Sequence, residues 1–99
     1  MDLEDIKSLI IRNNYYYSNK VRGFIEDGWY GEDDLEFCIC HAEKIYKKEN
    51  DELKTAVDGK KYIIIGKDTH GRPFYTLGKI IKNDEGKLYF FITAHEADN

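Results

Sequence analysis

The hydrophobic pattern changes its period once along the 99-residue chain, and this change constrains the fold more than any other feature. Up to about residue 42, apolar residues recur at helical spacing, and beyond it they form short runs separated by turn residues. The first pattern indicates amphipathic helices and the second indicates β-strands. We expect one domain, residues 1–99, of the α+β class. In it, N-terminal helices (two or three) pack on one face of a three- to four-stranded antiparallel β-meander.

Three segments carry the helical spacing. The first covers residues 2–13 and begins with acidic residues, which suit the positive end of a helix dipole. The second follows Ser18, a good N-cap residue, and Gly28 suits the left-handed position that closes a helix. The third opens with the acidic letters of "GEDDLEFCICHAEKI". The three apolar stripes are Leu3, Ile6 and Ile10; Val21, Phe24 and Ile25; and Leu35, Cys38, Ile39 and Ala42.

The strand pattern begins after the third helix. "EKIYKKE" fits an edge strand whose basic residues discourage pairing between sheets, and "NDELKTAVDG" fits a polar loop. "KKYIIIGK", "FYTLGKII" and "LYFFITAH" fit three further strands. The turns between them are "DTHGRP" and "KNDEGK", which are rich in Asp, Asn, Gly and Pro.

Aromatic residues flank the second helix. Tyr15, Tyr16 and Tyr17 form a short extended lead-in to it, and a period of two aims Tyr15 and Tyr17 to one side and Tyr16 to the other. Trp29 and Tyr30 lie in the following connection, where we expect them to pack over both helices.

Composition excludes several classes of protein. The chain has no run of about 18 apolar residues, so we expect no membrane-spanning helix. Its N-terminus is acidic and lacks the basic start of a signal peptide, which predicts a cytoplasmic protein. Cys38 and Cys40 are separated by one residue, a spacing that would strain a disulfide, so we expect free thiols.

Charge is divided unevenly along the chain. The net charge is −4, but residues 1–43 hold 4 basic and 10 acidic side chains, whereas residues 44–87 hold 11 basic and 7 acidic ones. The acidic part opposes nucleic acid and the basic part attracts it. A solvated sheet face is the commoner explanation of such a basic part, and attraction of nucleic acid is the alternative.

The sequence contains little that indicates a metal site or a nucleotide-binding site. Cys38, Cys40 and His41 stand close in sequence, but on a helix Cys38 and Cys40 point about 200° apart. A zinc site also needs a second half, which the sequence lacks. No GxxxxGK[ST], GxSxG or HExxH pattern occurs. We therefore predict no metal and no cofactor.

Two sets of residues are candidates for function. Tyr17, Arg22, Arg72, Tyr75 and Lys79 are able to form a basic and aromatic surface, because rings stack on unpaired bases and arginines bind phosphates. His95 follows a buried strand and is able to exchange a proton near neutral pH, although an idle strand-end histidine is the commoner case.

The order of these segments resembles a family of small prokaryotic domains of unknown function, the DUF4258-type domains, which are distantly related to BrnT- and RelE-type ribonuclease toxins. The resemblance covers nearly the whole chain. It rests on the acidic helix "MDLEDIKSLI", the "EDDLE" helix start, the step "HAEKIY", the turn in "GKDTHGRPFY" and the final "ITAHEA". The Gly71–Arg72–Pro73 turn and the Ile92–Thr93 step match best.

Departures from the family pattern fall on its polar positions. By that alignment Asn19 replaces the helix histidine, and Gly23 and Asp27 replace two arginines. Tyr75 replaces a histidine, His95 a tyrosine and Ala97 a proline, so that only Arg72 is retained. Asn19 and Gly23 cannot do acid–base work, which favours loss of catalysis.

The resemblance therefore implies a catalytically degenerate, toxin-like module that binds protein or RNA. Tyr17, Asn19, Arg22 and Lys79 are its expected binding residues. The alternative is an atypical, metal-independent endoribonuclease that uses His95 with Arg72 and Tyr75. A homodimer formed through an edge strand or through the aromatic lead-in is a third possibility.

Overall fold

The computed structural model describes residues 1–97, which form three helices and five strands. The helices are α1 (Leu3–Ile11), α2 (Asn19–Glu26) and α3 (Glu32–His41). The strands are β1 (Tyr15–Tyr17), β2 (Lys47–Asn50), β3 (Lys60–Lys67), β4 (Pro73–Asn83) and β5 (Gly86–Glu96). None of these helices is long and apolar enough to cross a membrane.

The strands form one mixed sheet in the order β1-β5-β4-β3-β2. The expected α+β class is confirmed, but the predicted three- to four-stranded antiparallel sheet is wrong in strand number and direction. The difference lies in the tyrosine lead-in, which is a strand that pairs in parallel with β5, with Tyr15 beside Tyr89. A three-residue strand is too short to show a period, and its partner lies more than 70 residues further along the chain. Sequence periodicity therefore could not reveal this pairing.

The helices pack on one face of the sheet, and strict alternation decides which side chains face them. The inward row of β4 holds Phe74, Thr76 and Ile80, all fully or almost fully buried. A bulge opposite the Leu77–Gly78 step shifts the register of β5 by one residue, so that Gly78 pairs with Phe91. The remaining inward strand residues of the core are Tyr62, Ile64, Tyr89, Phe91 and Ala94.

Local capping fixes where the helices begin. The carboxylate of Asp2 accepts a hydrogen bond from the Asp5 amide at the start of α1. Ser18 accepts one from the Val21 amide, which confirms the predicted N-cap of α2. The Ser18 hydroxyl also donates to the carbonyl of Ile92, and this bond ties the start of α2 to β5. Gly28 follows the helix end at φ +82°, the conformation predicted for it.

The two aromatic residues between α2 and α3 behave differently from each other. Tyr30 contacts the rings of Phe24 and Phe74, and its hydroxyl donates to the carbonyl of Ala94. Trp29, however, is 71% exposed, so the prediction that it packs over both helices is wrong. Tyr30 already fills the space between the helices and the sheet, which leaves Trp29 on the surface.

Substitution of Gly78 tests how tightly the helix-facing side of the sheet is packed. A Cβ atom at this position would lie 2.4 Å from Cζ of the fully buried Tyr89 ring. We expect Gly78→Ala to lower the free energy of unfolding by about 2–3 kcal/mol, because the ring has no free space into which to move. Urea denaturation followed by circular dichroism measures the change.

Gly23 provides the matched control for this prediction. It lies in α2, and a Cβ atom there would meet no atom within 4 Å. Gly23→Ala should raise the free energy of unfolding by about 0.5–1 kcal/mol, because alanine loses less backbone entropy in a helix. If both substitutions changed stability equally, the tight contact between Gly78 and Tyr89 would be refuted.

Candidate functional site

The face of the sheet that points away from the helices is the largest candidate site. We call it the open face and define it by Tyr16, Ile63, Ile65, Tyr75, Leu77, Phe90 and His95. None of these residues belongs to the apolar cluster that the three helices complete with the sheet. Strand alternation places all seven on one side. The open face is therefore an apolar and aromatic surface on which no described helix packs.

Strand register arranges the open face in rows. Ile65, Tyr75 and His95 stand side by side on β3, β4 and β5, and Ile63, Leu77 and Thr93 form the next row. Lys79, Phe90 and Tyr16 form a third row on β4, β5 and β1. The exposed fraction is 62% for Tyr16 and 37% for Ile65, but only 9% for Ile63 and 6% for Lys79. Rings from three different strands thus lie on one side of the sheet, with two buried residues between them.

Tyr75 and His95 form a stacked pair at one end of this surface. Their ring centroids lie 4.7 Å apart and the ring planes differ by 15°. His95 Nδ1 lies 2.9 Å from the carbonyl oxygen of Glu96. Burial, and then the charge of Glu49, raise the pKa of the Tyr75 hydroxyl. At neutral pH this hydroxyl is therefore a hydrogen-bond donor and not a base.

Arg72 is held by the turn that precedes β4. The Asp68 carboxylate accepts hydrogen bonds from the amides of His70 and Arg72 and from Arg72 Nε, the last at 3.1 Å. Burial would raise the pKa of Asp68, but these hydrogen bonds and the charge of Arg72 hold it below its ordinary value. The Arg72 guanidinium also lies 4.0 Å from Glu96 and remains half exposed.

A second carboxylate anchors the same turn to the helical layer. Asp34 accepts hydrogen bonds from the amide and the hydroxyl of Thr69. Its other oxygen accepts one from the amide of Gly31, at the start of α3. Asp34 and Asp68 together make the Gly71–Arg72–Pro73 turn a rigid support for Arg72.

The proposed catalytic residues converge only in part. Arg72 and His95 line one small cleft with Trp29 and Tyr30, but Tyr75 does not line it. The cleft has a volume of about 70 Å³. Ligand pockets usually measure about 300–1,000 Å³, so this cleft is too small to enclose a nucleotide. Tyr75 is connected to Arg72 and His95 only through the stacking of its ring on His95.

Two of the predicted binding residues share a larger cleft at the β1 edge of the sheet, beside the middle of β5. The Arg22 guanidinium lies 5.2 Å from the centre of the Tyr17 ring, whose hydroxyl donates to Glu32. Both residues line a cleft of about 510 Å³ that also reaches Tyr16 and Phe90. Asn19 is exposed at the start of α2 but does not line this cleft.

Lys79 stands beside Phe90 in the third row of the open face, but its side chain is buried. Its side chain is 7% exposed, and its ammonium lies 3.4 Å from Asp51. The Asp51 carboxylate also accepts hydrogen bonds from the amides of Thr55 and Ala56. The binding role of Lys79 stays a prediction, although the structure gives its ammonium a buried partner.

Sequence reasoning did not select Tyr16, Phe90 or Trp29. In "LYFFIT" the apolar run hides which residues face the helices, and the bulge at Ile92 then reverses the alternation. The predicted period had placed Tyr16 opposite Tyr15 and Tyr17, and this placement is confirmed, since Tyr15 is buried and Tyr16 exposed. The missing signal was the pairing of β1 with β5, which brings Tyr16 beside Phe90.

The cysteines line neither the cleft of Arg72 and His95 nor that of Tyr17 and Arg22. Cys38 is fully buried, as expected for a small apolar residue, and burial raises the pKa of its thiol to about 12. Its sulfur lies 3.6 Å from the carbonyl oxygen of Phe74. Both cysteines are free. Within residues 1–97, no group of three or more His, Cys, Asp or Glu side chains is placed to hold a metal ion.

Comparisons with known proteins leave the family open. No family model matches the chain, and neither a curated protein nor a solved structure matches it. The resemblance to DUF4258-type domains and to BrnT- and RelE-type toxins therefore stays a prediction.

The buried pair of Asp51 and Lys79 should respond unequally to the loss of each partner. Asp51→Ala leaves the Lys79 ammonium buried without its carboxylate, and we expect the free energy of unfolding to fall by about 3 kcal/mol. Lys79→Met keeps the side-chain volume and leaves Asp51 with its amide donors, so we expect a loss of about 1 kcal/mol or less. Denaturant titrations of both variants at pH 7 make the comparison, and equal losses would contradict it.

The same pair predicts a dependence on pH. Burial would raise the pKa of Asp51, but the amides of Ala56 and Thr55, with Lys79, hold it below its ordinary value of 3.8. The stability advantage of the wild type over Asp51→Ala should therefore be complete above pH 3.8. It should disappear as the pH falls through the lower pKa of the folded state. An advantage that grew on acidification would contradict this assignment.

Proposed function

We propose that the protein binds single-stranded RNA and that the open face is its binding surface. The observation that carries this proposal is the set of rings from Tyr16, Phe90, Tyr75 and His95, placed by three strands on the side without helices. Exposed rings on a sheet are a general means of stacking unpaired bases. The rings of a base-paired duplex are already stacked, so a single strand is the better fit.

The distribution of cations supports the same surface. Lys61 and Lys67 lie on β3 with the same strand parity as Ile63 and Ile65, so they border the open face. Arg22 and Arg72 each line a cleft with a ring of the open face, Arg22 with Phe90 and Arg72 with His95. The three helices fall within the acidic residues 1–43. Electrostatic attraction would therefore guide a polyanion to the sheet and not to the helical layer.

The dimensions of β5 suit a short segment of RNA. Phe90 and His95 are five residues apart, but the bulge between them reduces this to the four-residue step from Tyr75 to Lys79 on β4, or about 13 Å. A segment of RNA on the open face would cross Tyr16 and Phe90 and end at Tyr75 and His95, with the cleft of Tyr17 and Arg22 beside it. This path joins the sequence-predicted residues Tyr75 and His95 to rings that sequence reasoning had missed.

Substitution of Tyr75 tests the stacking part of this proposal. Tyr75→Ala should weaken binding of a fluorescein-labelled ten-nucleotide oligouridine about tenfold or more, since one stacked base contributes about 1–3 kcal/mol. Tyr75→Phe retains the ring and should bind as the wild type does. Fluorescence anisotropy at low salt measures the affinities, and circular dichroism confirms folding. Equal affinity of all three proteins would refute a stacking role for Tyr75.

A matched pair of lysine variants tests the position of the surface. Lys61→Gln with Lys67→Gln removes cations beside the open face, whereas Lys7→Gln with Lys20→Gln removes the same charge from the helical layer. We expect only the first pair to weaken binding and to reduce the dependence of affinity on salt concentration. Equal effects of both pairs, or the absence of any binding by the wild type, would overturn the proposal.

A second candidate function is an atypical endoribonuclease, and the shared cleft of Arg72 and His95 favours it. Three observations oppose it. His95 Nδ1 is hydrogen-bonded to a backbone carbonyl oxygen, Arg72 is engaged by Asp68 and Glu96, and the raised pKa of Tyr75 prevents it from acting as a base. Asp68 and Glu96 are the carboxylates that line the cleft, and both are paired with Arg72.

The cleavage assay separates the two functions. We expect the wild type to bind labelled single-stranded RNA without cleaving it in a buffer containing EDTA. The His95→Ala variant serves as the control. Cleavage by the wild type that is lost in His95→Ala would establish the ribonuclease and refute a purely binding role. Cleavage that persists in the variant would exclude His95 as the catalytic group.

A further inference from the structure

One edge of the sheet is only half covered. Strand β2 pairs with β3 from Lys60 to Ile63 and with none of the residues from Ile64 to Lys67. The chain between α3 and β2 leaves the strand there, and its last bond to β3 runs from the Tyr46 amide to the Ile63 carbonyl. Within residues 1–97, the second half of β3 therefore lacks a neighbouring strand on this side.

Backbone geometry identifies which groups this edge presents. Alternate residues of a strand direct their N–H and C=O groups to the same edge. Since the Ile63 carbonyl points to β2, the backbone groups of Ile65 and Lys67 point to the same side. Pro73, which has no amide hydrogen, stands opposite Lys67 on β4. This pairing agrees with Lys67 directing its own backbone groups away from β4.

A cleft adjoins these groups. It has a volume of about 570 Å³ and lies between the end of α3 and the edge of β3. Phe37, which stacks on His41 at 4.0 Å, forms its apolar wall together with Ala42 and Ile65. Gly66 lies beneath, where a Cβ atom would come within 2.9 Å of the Cys38 carbonyl oxygen. The glycine thus lets α3 approach the strand and keeps the cleft free of a side chain of its own.

We propose that this edge binds an extended, acidic and apolar segment of a partner protein, which adds to the sheet as a strand beside Ile64–Lys67. The backbone of the segment would pair with Ile65 and Lys67. A side chain opposite Gly66 would enter the cleft beside Phe37 and is therefore expected to be apolar. A side chain opposite Lys67 is expected to be acidic, because two lysines, Lys44 and Lys67, line the cleft with one carboxylate, that of Glu43.

Charge favours a partner protein over a second copy of this chain. Two copies joined through this edge would bring two sets of Lys44 and Lys67 together, and like charges on neighbouring strands repel. Lysines on a free edge commonly prevent self-pairing in this way. The same lysines attract an acidic strand, so the edge selects for a partner of opposite charge.

Amide hydrogen exchange measured by NMR tests this inference. The probe is a capped peptide of alternating valine and glutamate, seven residues long. We expect saturable protection of the Ile65 and Lys67 amides, by about tenfold or more, when the peptide is added. The amides of Ile64 and Gly66, which point to β4, should not change and serve as internal controls.

Two matched peptides complete the experiment. A peptide with lysine in place of glutamate should bind at least about fivefold more weakly, because it repels Lys44 and Lys67. A peptide N-methylated at each glutamate cannot donate to the edge and should give no protection. The inference is overturned by absence of protection at millimolar peptide, by equal protection from all three peptides, or by protection in free protein that grows with protein concentration. The last result would identify a second copy as the occupant.

Discussion

The contact between Tyr89 and Gly78 determines the two-sided character of the sheet. The ring lies against the one residue of β4 that has no side chain, and any Cβ atom there would overlap it. This contact selects the register of β5 on β4 and therefore the side on which every following residue lies. With Tyr89 inward, Phe91 and Ala94 also face the helices, across the bulge. Phe90 and His95 are then directed to the opposite side.

The open face follows from this arrangement together with the layout of charge. All three helices complete one core, and the rings on the other side of the sheet lie outside that core. The helical layer is acidic, and the lysines of β3 border the open face. Two arginines that share clefts with these rings are each held in place, Arg22 by the Tyr17 ring and Arg72 by Asp68. A surface of rings with fixed cations beside them is suited to a flexible polyanion with stacking bases.

Sequence patterns predicted the local structure better than the long-range pairing. The Ser18 cap, the Gly28 helix end and the buried Cys38 were predictable, because each depends on neighbours within one or two turns. The parallel pairing of Tyr15–Tyr17 with β5 was not, since it depends on a partner at the other end of the chain. The same limit applied to the site. The sequence left open whether Arg72, Tyr75 and His95 converge, and only Arg72 and His95 line one cleft. Tyr16 and Phe90 enter the proposed site only through the pairing of β1 with β5.

The most direct test of the account is NMR mapping of the aromatic and amide signals while oligouridine is added to the folded protein. Binding at the open face predicts the largest changes for Tyr16, Tyr75, Phe90 and His95, and little change for the core rings of Tyr62 and Phe91. Changes centred on the helical layer, or changes in the core rings alone, would contradict it. In that event the rings of the open face would be structural, and the search for a ligand would move to the edge of β3.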